Sequence, residues 1–369
     1  MQELKRITII GLGVIGGSLG LALKKRHPKL QVCGVDVNRE IIQEAISRNA
    51  IDNGTTDIAS GVRDANLIFL AIPMQVMAKT CLAMAPYLSK GAIVTDTGST
   101  KVNMVGVMAC TLPPQVRFIG GHPMTGSEKT GLQGASEILF ENAAYILTPM
   151  PDSDEAAIRL VREVVESIGA RTIILTPSDH DRKVAAVSHL PHVAASALVN
   201  AIGTLEAREG GYFSLAAGGF RDSTRIAASN SEMWTDILLQ NSQALLPLIR
   251  SYRECLEDFE RALESQNPRA LYQLFNDARE QREKVPTGLK GILPQLFELT
   301  VMVPDKPGAI GQLAVLLGSE HINISDIEIM RVREQDDGTM RLGFSQETHR
   351  DQALKVLLDN NFTVKRSTL

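Results

Sequence analysis

GLGVIGG, residues Gly11 to Gly17, follows the β-branched run Ile7–Ile10 and opens onto a helical pattern. Gly11, Gly13 and Gly16 make a GxGxxG pattern at the point where a strand passes into a helix. Glycines there permit a tight turn and let a pyrophosphate approach the helix N-terminus. Asp36 follows Gly16 by 20 residues, at the end of the next apolar run. A carboxylate in that place accepts hydrogen bonds from a ribose 2′-hydroxyl and repels a 2′-phosphate, so NAD is expected over NADP, with Arg39 as a nearby group that could accommodate a phosphate. The glycines could also merely turn the chain. Strand, helix and acid in this order favour the dinucleotide reading.

Short apolar runs continue outward from this stretch: Val32–Val35, Leu67–Ile72, Ile93–Thr95, Phe118–Gly120, Tyr145–Leu147 and Thr172–Leu175, separated by helical patterns. Continuous apolar strands with intervening helices predict an α/β Rossmann-type domain, a mostly parallel sheet covered on both faces, over residues 1–177. One crossover helix is read from Ala156, Ala157, Leu160, Val161, Val164, Val165 and Ile168, with Asp152 to Glu155 as N-terminal partners. From Ser178 to Lys284 the pattern is helical, interrupted at Gly210, Gly211, Gly218 and Gly219, so residues 178–290 are expected to form an all-helical substrate and dimerisation domain. Its apolar helix faces exceed what one copy could readily bury, which predicts a homodimer. Val285–Gly291 reads as a linker. Residues 297–369 read as a small α+β domain of β-α-β-β-α-β order, from Phe297–Val303, Ala309–Ser319, Asn323–Ile329, Met340–Phe344, Arg350–Asp359 and Val364.

Composition agrees with several packed cores. The 369 residues are 44% hydrophobic and 22% charged, with 29 Gly and 16 Pro, a globular balance that excludes a fibrous or disordered chain. The formal net charge is -4, and without a Lys/Arg run to track a phosphate backbone no nucleic-acid partner is expected. Cys33, Cys81, Cys110 and Cys255 are scattered with no CxxC pair, which suggests reduced thiols in a cytoplasmic protein rather than a disulfide framework or a zinc knuckle. The run Ile7–Leu23 superficially looks like a leader or span, but it holds five glycines and ends in Lys24, Lys25 and Arg26. No other segment is read as a spanning candidate, and no membrane association is expected.

Ligands of open parallel sheets bind beyond the carboxyl ends of the strands. The run Leu67–Ile72 ends in Pro73, and Ile93–Thr95 leads into Asp96, Thr97, Gly98, Ser99, Thr100 and Lys101. The expected cofactor residues are thus Gly11, Gly13, Val14, Ile15, Gly16, Asp36, Pro73 and Thr97. Ser99 and Thr100 serve equally well, on pattern alone, as caps of the next helix. In GGHPMTGSEKTG, residues 120–131, His122 follows a strand end and Glu128 shares its polar loop. A histidine beside a nicotinamide could accept a hydroxyl proton as hydride leaves the same carbon. An exposed loop histidine is the plain alternative.

In the helical region Asp181, Ser188, His189 and His192 fall within one stretch. Asp181 and His192 are eleven residues apart, near three turns, and share a face if the helix survives Pro191. His189 and His192 find no third partner at metal-ligand spacing, so no metal is expected, and core packing suits either. Further on, Arg221, Asp222 and Arg225 follow a glycine break. Arginine suits bidentate clamping of a carboxylate, although Asp222 and Arg225 could simply pair at i,i+3. Trp234, the only tryptophan, reads as core as readily as ligand wall.

Taken together, GLGVIGGS, TDTGSTK, GGHPMTGSEKTG, SHLPH and GGFRDSTRIA, in that order over residues 6–290, resemble bacterial prephenate dehydrogenases. The resemblance implies NAD-dependent oxidative decarboxylation of prephenate to 4-hydroxyphenylpyruvate on the route to tyrosine. It also implies that His122 holds the C4 hydroxyl, Ser99 assists it, and Arg225 holds a substrate carboxylate. His192, Asp181, Glu128, Asp222 and Trp234 match positions that line or order the family's site. The stretches LTVMVPDKPGAIGQLAVLL and INISDIEI look like an ACT domain, whose ligand site would fall on Asp305, Lys306, Pro307, Gly308 and Ala309 with Asn323 and Ile324, tyrosine being the natural effector. An ACT-like module that only packs subunits is the alternative. No chorismate mutase segment is expected ahead of the nucleotide fold, which begins at residue 6. Rival readings are an arogenate dehydrogenase, a β-hydroxyacid dehydrogenase, which would use a lysine base, and a non-catalytic NAD-binding amino-acid sensor.

Overall fold

The computed structural model describes residues 4–126, 131–285, 296–304, 306–330 and 337–366. Glu128, Asp305 and most of the expected linker lie outside the described residues. The chain forms two compact units, Met1–Asp277 and Ala278–Leu369.

In the first unit β1 (Arg6–Ile10), β2 (Gln31–Val35), β3 (Asn53–Thr55), β4 (Leu67–Leu70), β5 (Ile93–Asp96), β6 (Arg117–Pro123), β7 (Ala144–Thr148) and β8 (Arg171–Ile174) form one sheet. Its order is β3-β2-β1-β4-β5-β6-β7-β8. The first six are parallel, β7 runs antiparallel to β6, and β8 is parallel to β7. Alternate residues of each strand enter different cores, Leu67 and Phe69 one face, Ile68 and Leu70 the other. Burial on both faces is why these strands read as unbroken apolar runs. The edge strand β3 escapes that reading because Asn53, Gly54 and Thr55 offer no apolar run. The crossover helix is Glu155–Ser167, capped by Asp154, whose carboxylate accepts from Ala156 N–H at 2.7 Å.

Strand order reverses between β1 and β4, which opens a crevice at the carboxyl ends. Over that end runs one continuous helix, Pro177–Glu209. It does not break at Pro191, because a π-helical turn, Ala185–His189, immediately precedes the last stretch, Leu190–Glu209, and the proline falls in that stretch's first turn, where its missing N–H is tolerated. Gly210 and Gly211, both at positive φ, end it. By length and hydropathy this helix suffices to cross a bilayer, which corrects the reading that no other segment qualifies. It also holds the buried His180, Asp181 and His189, which pack within this unit. Helices Ser231–Gln240 and Ser242–Glu264 cover it. Large apolar side chains remain exposed here, Val187 at 71%, Leu215 at 83% and Leu239 at 69% among them.

The second unit has β9 (Phe297–Pro304), β10 (Asp326–Met330), β11 (Asp337–Phe344) and β12 (Thr363–Arg366) in an antiparallel sheet of order β10-β11-β9-β12. Helices Ala309–Ser319 and Glu347–Asp359 complete the β-α-β-β-α-β order. Leu299, Val301, Leu313, Leu317, Phe344 and Leu357 form its core. Strand β10 starts later than the sequence suggests. The ladder begins with Asp326 opposite Gly343, so Asn323 and Ile324 lie in the segment that leads into it.

Candidate active site

The turn from β1 into helix Val14–Arg26 is built by two glycines that nothing else could replace. A Cβ on Gly11, which sits at φ +90°, would lie 2.3 Å from the Ala71 carbonyl oxygen, and one on Gly16 would lie 1.8 Å from that of Gly11. Gly13 differs, for a Cβ there would meet nothing within 4 Å. Space above Gly13 is therefore open to a ligand, and the helix begins without a side-chain cap, which suits a pyrophosphate. Val14 and Ile15 are half-buried in the first turn. Asp36 directly follows β2 with its carboxylate turned to the loop, accepting from Leu12 N–H and Asn38 N–H at 2.9 Å each. A lone pair remains on each oxygen for a ribose hydroxyl. Pro73 opens helix Met74–Met84, and Thr97 ties the end of β5 to the Leu70 carbonyl. These residues fit a dinucleotide.

His122 departs from the loop reading. Strand β6 continues to Pro123 because β7 pairs antiparallel with it, and His122, opposite Ile146, is a buried strand residue. Gly120 and Gly121 make this approach possible, since a Cβ on the latter would lie 2.6 Å from the Asp96 carbonyl oxygen. His122 Nδ1 lies 2.7 Å from His180 Nε2, and His180 Nδ1 lies 2.7 Å from Asp181 Oδ1. Asp181 also accepts from Lys101 N–H at 2.7 Å and Val102 N–H at 2.8 Å. The cap of helix Val102–Thr111 is thus Asp181, not Ser99 or Thr100. The Thr100 hydroxyl instead donates to Gln240 at 3.1 Å. Ser99 sits half-buried in this loop, two residues before Lys101.

Beneath the loop Lys101 and Asp96 form an ion pair with both side chains fully buried. Asp96 further accepts from Gly98 N–H at 2.9 Å and Gly121 N–H at 3.1 Å, which locks β5 to the strand that carries His122. Burial first, then the neighbouring His180, Lys101 and His189, holds His122 well below the ordinary histidine range. It is a neutral base at neutral pH.

On the other side, His189 lies 3.2 Å from Asn241 Nδ2, an amide that also donates to the Asp181 carbonyl at 2.8 Å. Burial pushes His189 down to about 4. His192 stacks on Trp234 with ring centroids 3.5 Å apart, and His189 meets the same indole edge-on. Burial lowers His192 too, opposed by a hydrogen bond with the Ile226 backbone and reinforced by Arg225. Arg225, exposed, acts on His192 from the turn after helix Gly218–Thr224, and Asp222, also exposed, lies in that helix. Tertiary structure therefore gathers His122, Asp181, His192, Trp234 and Arg225 into one contiguous region, with Asp181 committed to backbone amides and His180. His180 and Asn241 went unmentioned in the sequence reading, and Asp96 and Lys101 were named there without a role. The spacing of Asp96 and Lys101 in one loop was the available signal for that pair.

In the second unit Pro307 and Gly308, at φ +88°, lead into helix Ala309–Ser319, with Ala309 buried. A cavity of about 280 Å³ opens here, lined by Met302, Lys306, Gln312, Asn361 and Phe362 among others. It draws on the turn before β12 rather than on Asn323 and Ile324.

The sequence matches the family described as "Prephenate dehydrogenase, nucleotide-binding domain" over residues 19–186 and "Prephenate dehydrogenase, dimerization domain" over residues 176–277. It is 35% identical over 359 residues to the prephenate dehydrogenase of Bacillus subtilis, covering 96% of each chain. Among solved structures, prephenate dehydrogenase from A. aeolicus in complex with hydroxyphenyl propionate and NAD+ superposes with a TM-score of 0.72 at 31% identity, over 77% of this chain and 99% of that one. Synechocystis arogenate dehydrogenase superposes with a TM-score of 0.66 at 33% identity, over 76% and 99%.

Proposed function

The chain belongs to the prephenate dehydrogenase family, and from that membership and the site we propose NAD-dependent oxidative decarboxylation of prephenate to 4-hydroxyphenylpyruvate, a step toward tyrosine. The observation that carries the reading is a buried, neutral His122 at the open end of a dinucleotide-type sheet. NAD, when bound, supplies the hydride acceptor. Gly13 leaves room for its pyrophosphate and Asp36 offers acceptors to its ribose. His122 takes the proton of the C4 hydroxyl as the C4 hydride departs, with Ser99 as a hydrogen-bonding aid. Arg225 clamps a substrate carboxylate, and the stacked Trp234 and His192 wall the ring. Loss of carbon dioxide aromatises the product, so the protein's task is positioning and charge complementarity.

The test is NADH formation by purified protein with prephenate or arogenate, each with NAD or NADP. Turnover with prephenate and NAD is the expected result. Preference for arogenate, a reading the Synechocystis likeness keeps open, keeps the chemistry and changes the substrate. No turnover with either substrate refutes the enzyme reading in favour of an NAD-binding sensor. His122→Asn should lower kcat by about 10²–10⁴-fold at nearly unchanged NAD affinity.

The second unit serves, in this proposal, as an ACT-type module that senses tyrosine. Its β-α-β-β-α-β order and the cavity beside Lys306 and Ala309 support that role. Deletion of residues 297–369 should abolish tyrosine inhibition, and a folded, equally sensitive truncation would move tyrosine to the active site. The exposed apolar side chains of the helical region, within the match to a dimerization domain, support a homodimer.

A further inference from the structure

His180 is fully buried, and each of its ring nitrogens meets another titratable side chain. The directions of these hydrogen bonds follow from what each group can donate. Asp181, as a carboxylate, only accepts, and it already takes Lys101 N–H and Val102 N–H. The proton between Asp181 and His180 therefore sits on His180 Nδ1. When His180 is neutral it has a lone pair on Nε2 and only accepts there, and His122 Nδ1 is then the donor across their 2.7 Å contact. Neutral His122 is left with its lone pair on Nε2, a nitrogen with no hydrogen-bond partner among the described residues. The opposite tautomer of His122 would set two lone pairs against each other at 2.7 Å, which a buried site cannot relieve with water.

We propose that His180 is a positioning residue of the dehydrogenase reaction, holding His122 in the Nδ1–H tautomer so that Nε2 presents its lone pair to the substrate hydroxyl. The proposal rests on the reading of His122 as the base. When the C4 hydroxyl proton joins Nε2, the electron pair of the breaking C4–H bond leaves with the hydride, and no bond to the enzyme forms. The resulting imidazolium keeps Nδ1–H on His180 Nε2, whose own Nδ1–H is backed by the Asp181 charge. Positive charge formed on His122 thus meets an acceptor already in place, at no cost of reorientation. Among the described residues, the other charged and titratable groups acting on His122 are Lys101, which is paired with Asp96, and His189 on the helix that carries His180. Asp181 has a second duty in this arrangement. By capping helix Val102–Thr111 it fixes its own carboxylate, so the orientation of His122 is anchored to backbone rather than to a free side chain.

The decisive measurement reads the wild-type enzyme itself. Enzyme labelled with ¹⁵N in its seven histidines reports which ring nitrogen of each carries a proton, and the His122 signal is assigned by its loss in His122→Asn. Protonated Nδ1 and bare Nε2 are expected for His122, and a protonated Nε2 at neutral pH overturns the proposal whatever the activity. Two variants then test the consequence. His180→Phe fills the space without an acceptor, and kcat should fall by about 10³–10⁴-fold, the scale of a wrong imidazole tautomer, while KM values move by less than about threefold. His180→Gln can accept from His122 through its carbonyl and donate to Asp181 through its amide, so it should recover much of the loss. Equal losses in the two variants, or wild-type kcat in His180→Phe, would refute the positioning role. Failure of the base reading shows separately, as full turnover in His122→Asn while the wild-type enzyme carries the expected tautomer.

Discussion

Replacing Lys101 by Met removes one side of an ion pair whose two side chains are both fully buried. Breaking such a pair from one side costs about 3–5 kcal/mol, because the remaining charge is stranded away from water. Asp96 would keep the Gly98 and Gly121 amides at 2.9 and 3.1 Å, which offset part of the loss, so the lower end, about 3 kcal/mol, is the expected value. For a unit of this size about 3 kcal/mol corresponds to a Tm lower by about 6–12 °C. Thermal and urea unfolding of the full chain measure it directly. Kinetics supply an independent signature, since the Lys101 ammonium is among the charges that hold His122 down. As the proposed base, His122 works only when neutral, so kcat/KM should fall as pH drops through its pKa. Removing a nearby cation raises that pKa and moves the acid limb to higher pH. A Lys101→Met enzyme that melts within about 1 °C of wild type would refute the stability argument and with it the claim that this pair braces the junction of β5 and β6.

Gly13→Ala and Gly16→Ala should part company: the first, with open space for its methyl, keeps the wild-type Tm and weakens NAD binding in a titration, whereas the second, 1.8 Å from a carbonyl oxygen, lowers the Tm outright. Equal effects on both readouts would contradict the assignment of Gly13 to ligand approach. Stability should also decline in acid through the buried histidines. His189, pushed down to about 4, contributes fully above the ordinary histidine pKa of about 6.5, and that contribution is lost as pH falls from there toward 4. Denaturation midpoints between pH 7 and 4 for wild type and His189→Asn check this, the variant showing the shallower dependence. Sedimentation equilibrium should return twice the 40.1 kDa chain mass at micromolar concentration, and a monodisperse monomer would refute the dimer.

Much of the first unit was legible because its signals are local. Strands buried on both faces must be apolar throughout, so β1, β2 and β4 announce themselves, and Gly16 is demanded by a contact with Gly11 within the same turn. Asp154 likewise caps the helix that begins at the next residue. Where the sequence misled, a partner strand or a distant side chain supplied what local pattern lacked. His122 reads as a loop residue because the antiparallel β7 that buries it lies more than twenty residues on. Ser99 and Thr100 could be read as caps as well as site hydroxyls because nothing nearby tells that Asp181 reaches the same amides from 80 residues away.

The same distance explains why the chain of Asp181, His180 and His122 was invisible. Each link joins groups whose chemistry is ordinary in isolation: an aspartate next to a histidine on a helix, and a histidine in a glycine-rich stretch 58 residues earlier. Their meaning comes from direction, an acceptor-only carboxylate at one end imposing a donor at every step toward the other. The π-helical turn at Ala185–His189 contributes to it. Uninterrupted α-helix would bring Asp181 and His192 back near one face after eleven residues, as their spacing suggested. The wider turn offsets that register, so that Asp181 faces the β5 loop while His192 lies flat on Trp234. In the proposed site one helix thereby serves two ends, the proton-accepting end through His180 and the aromatic wall through His192. A variant that restores the α-register, by deleting one residue of the π-turn such as Val187, should break the tautomer-holding chain without touching any residue in it. Loss of turnover with retained NAD binding is the expected result, and full activity would show that the register carries no functional load.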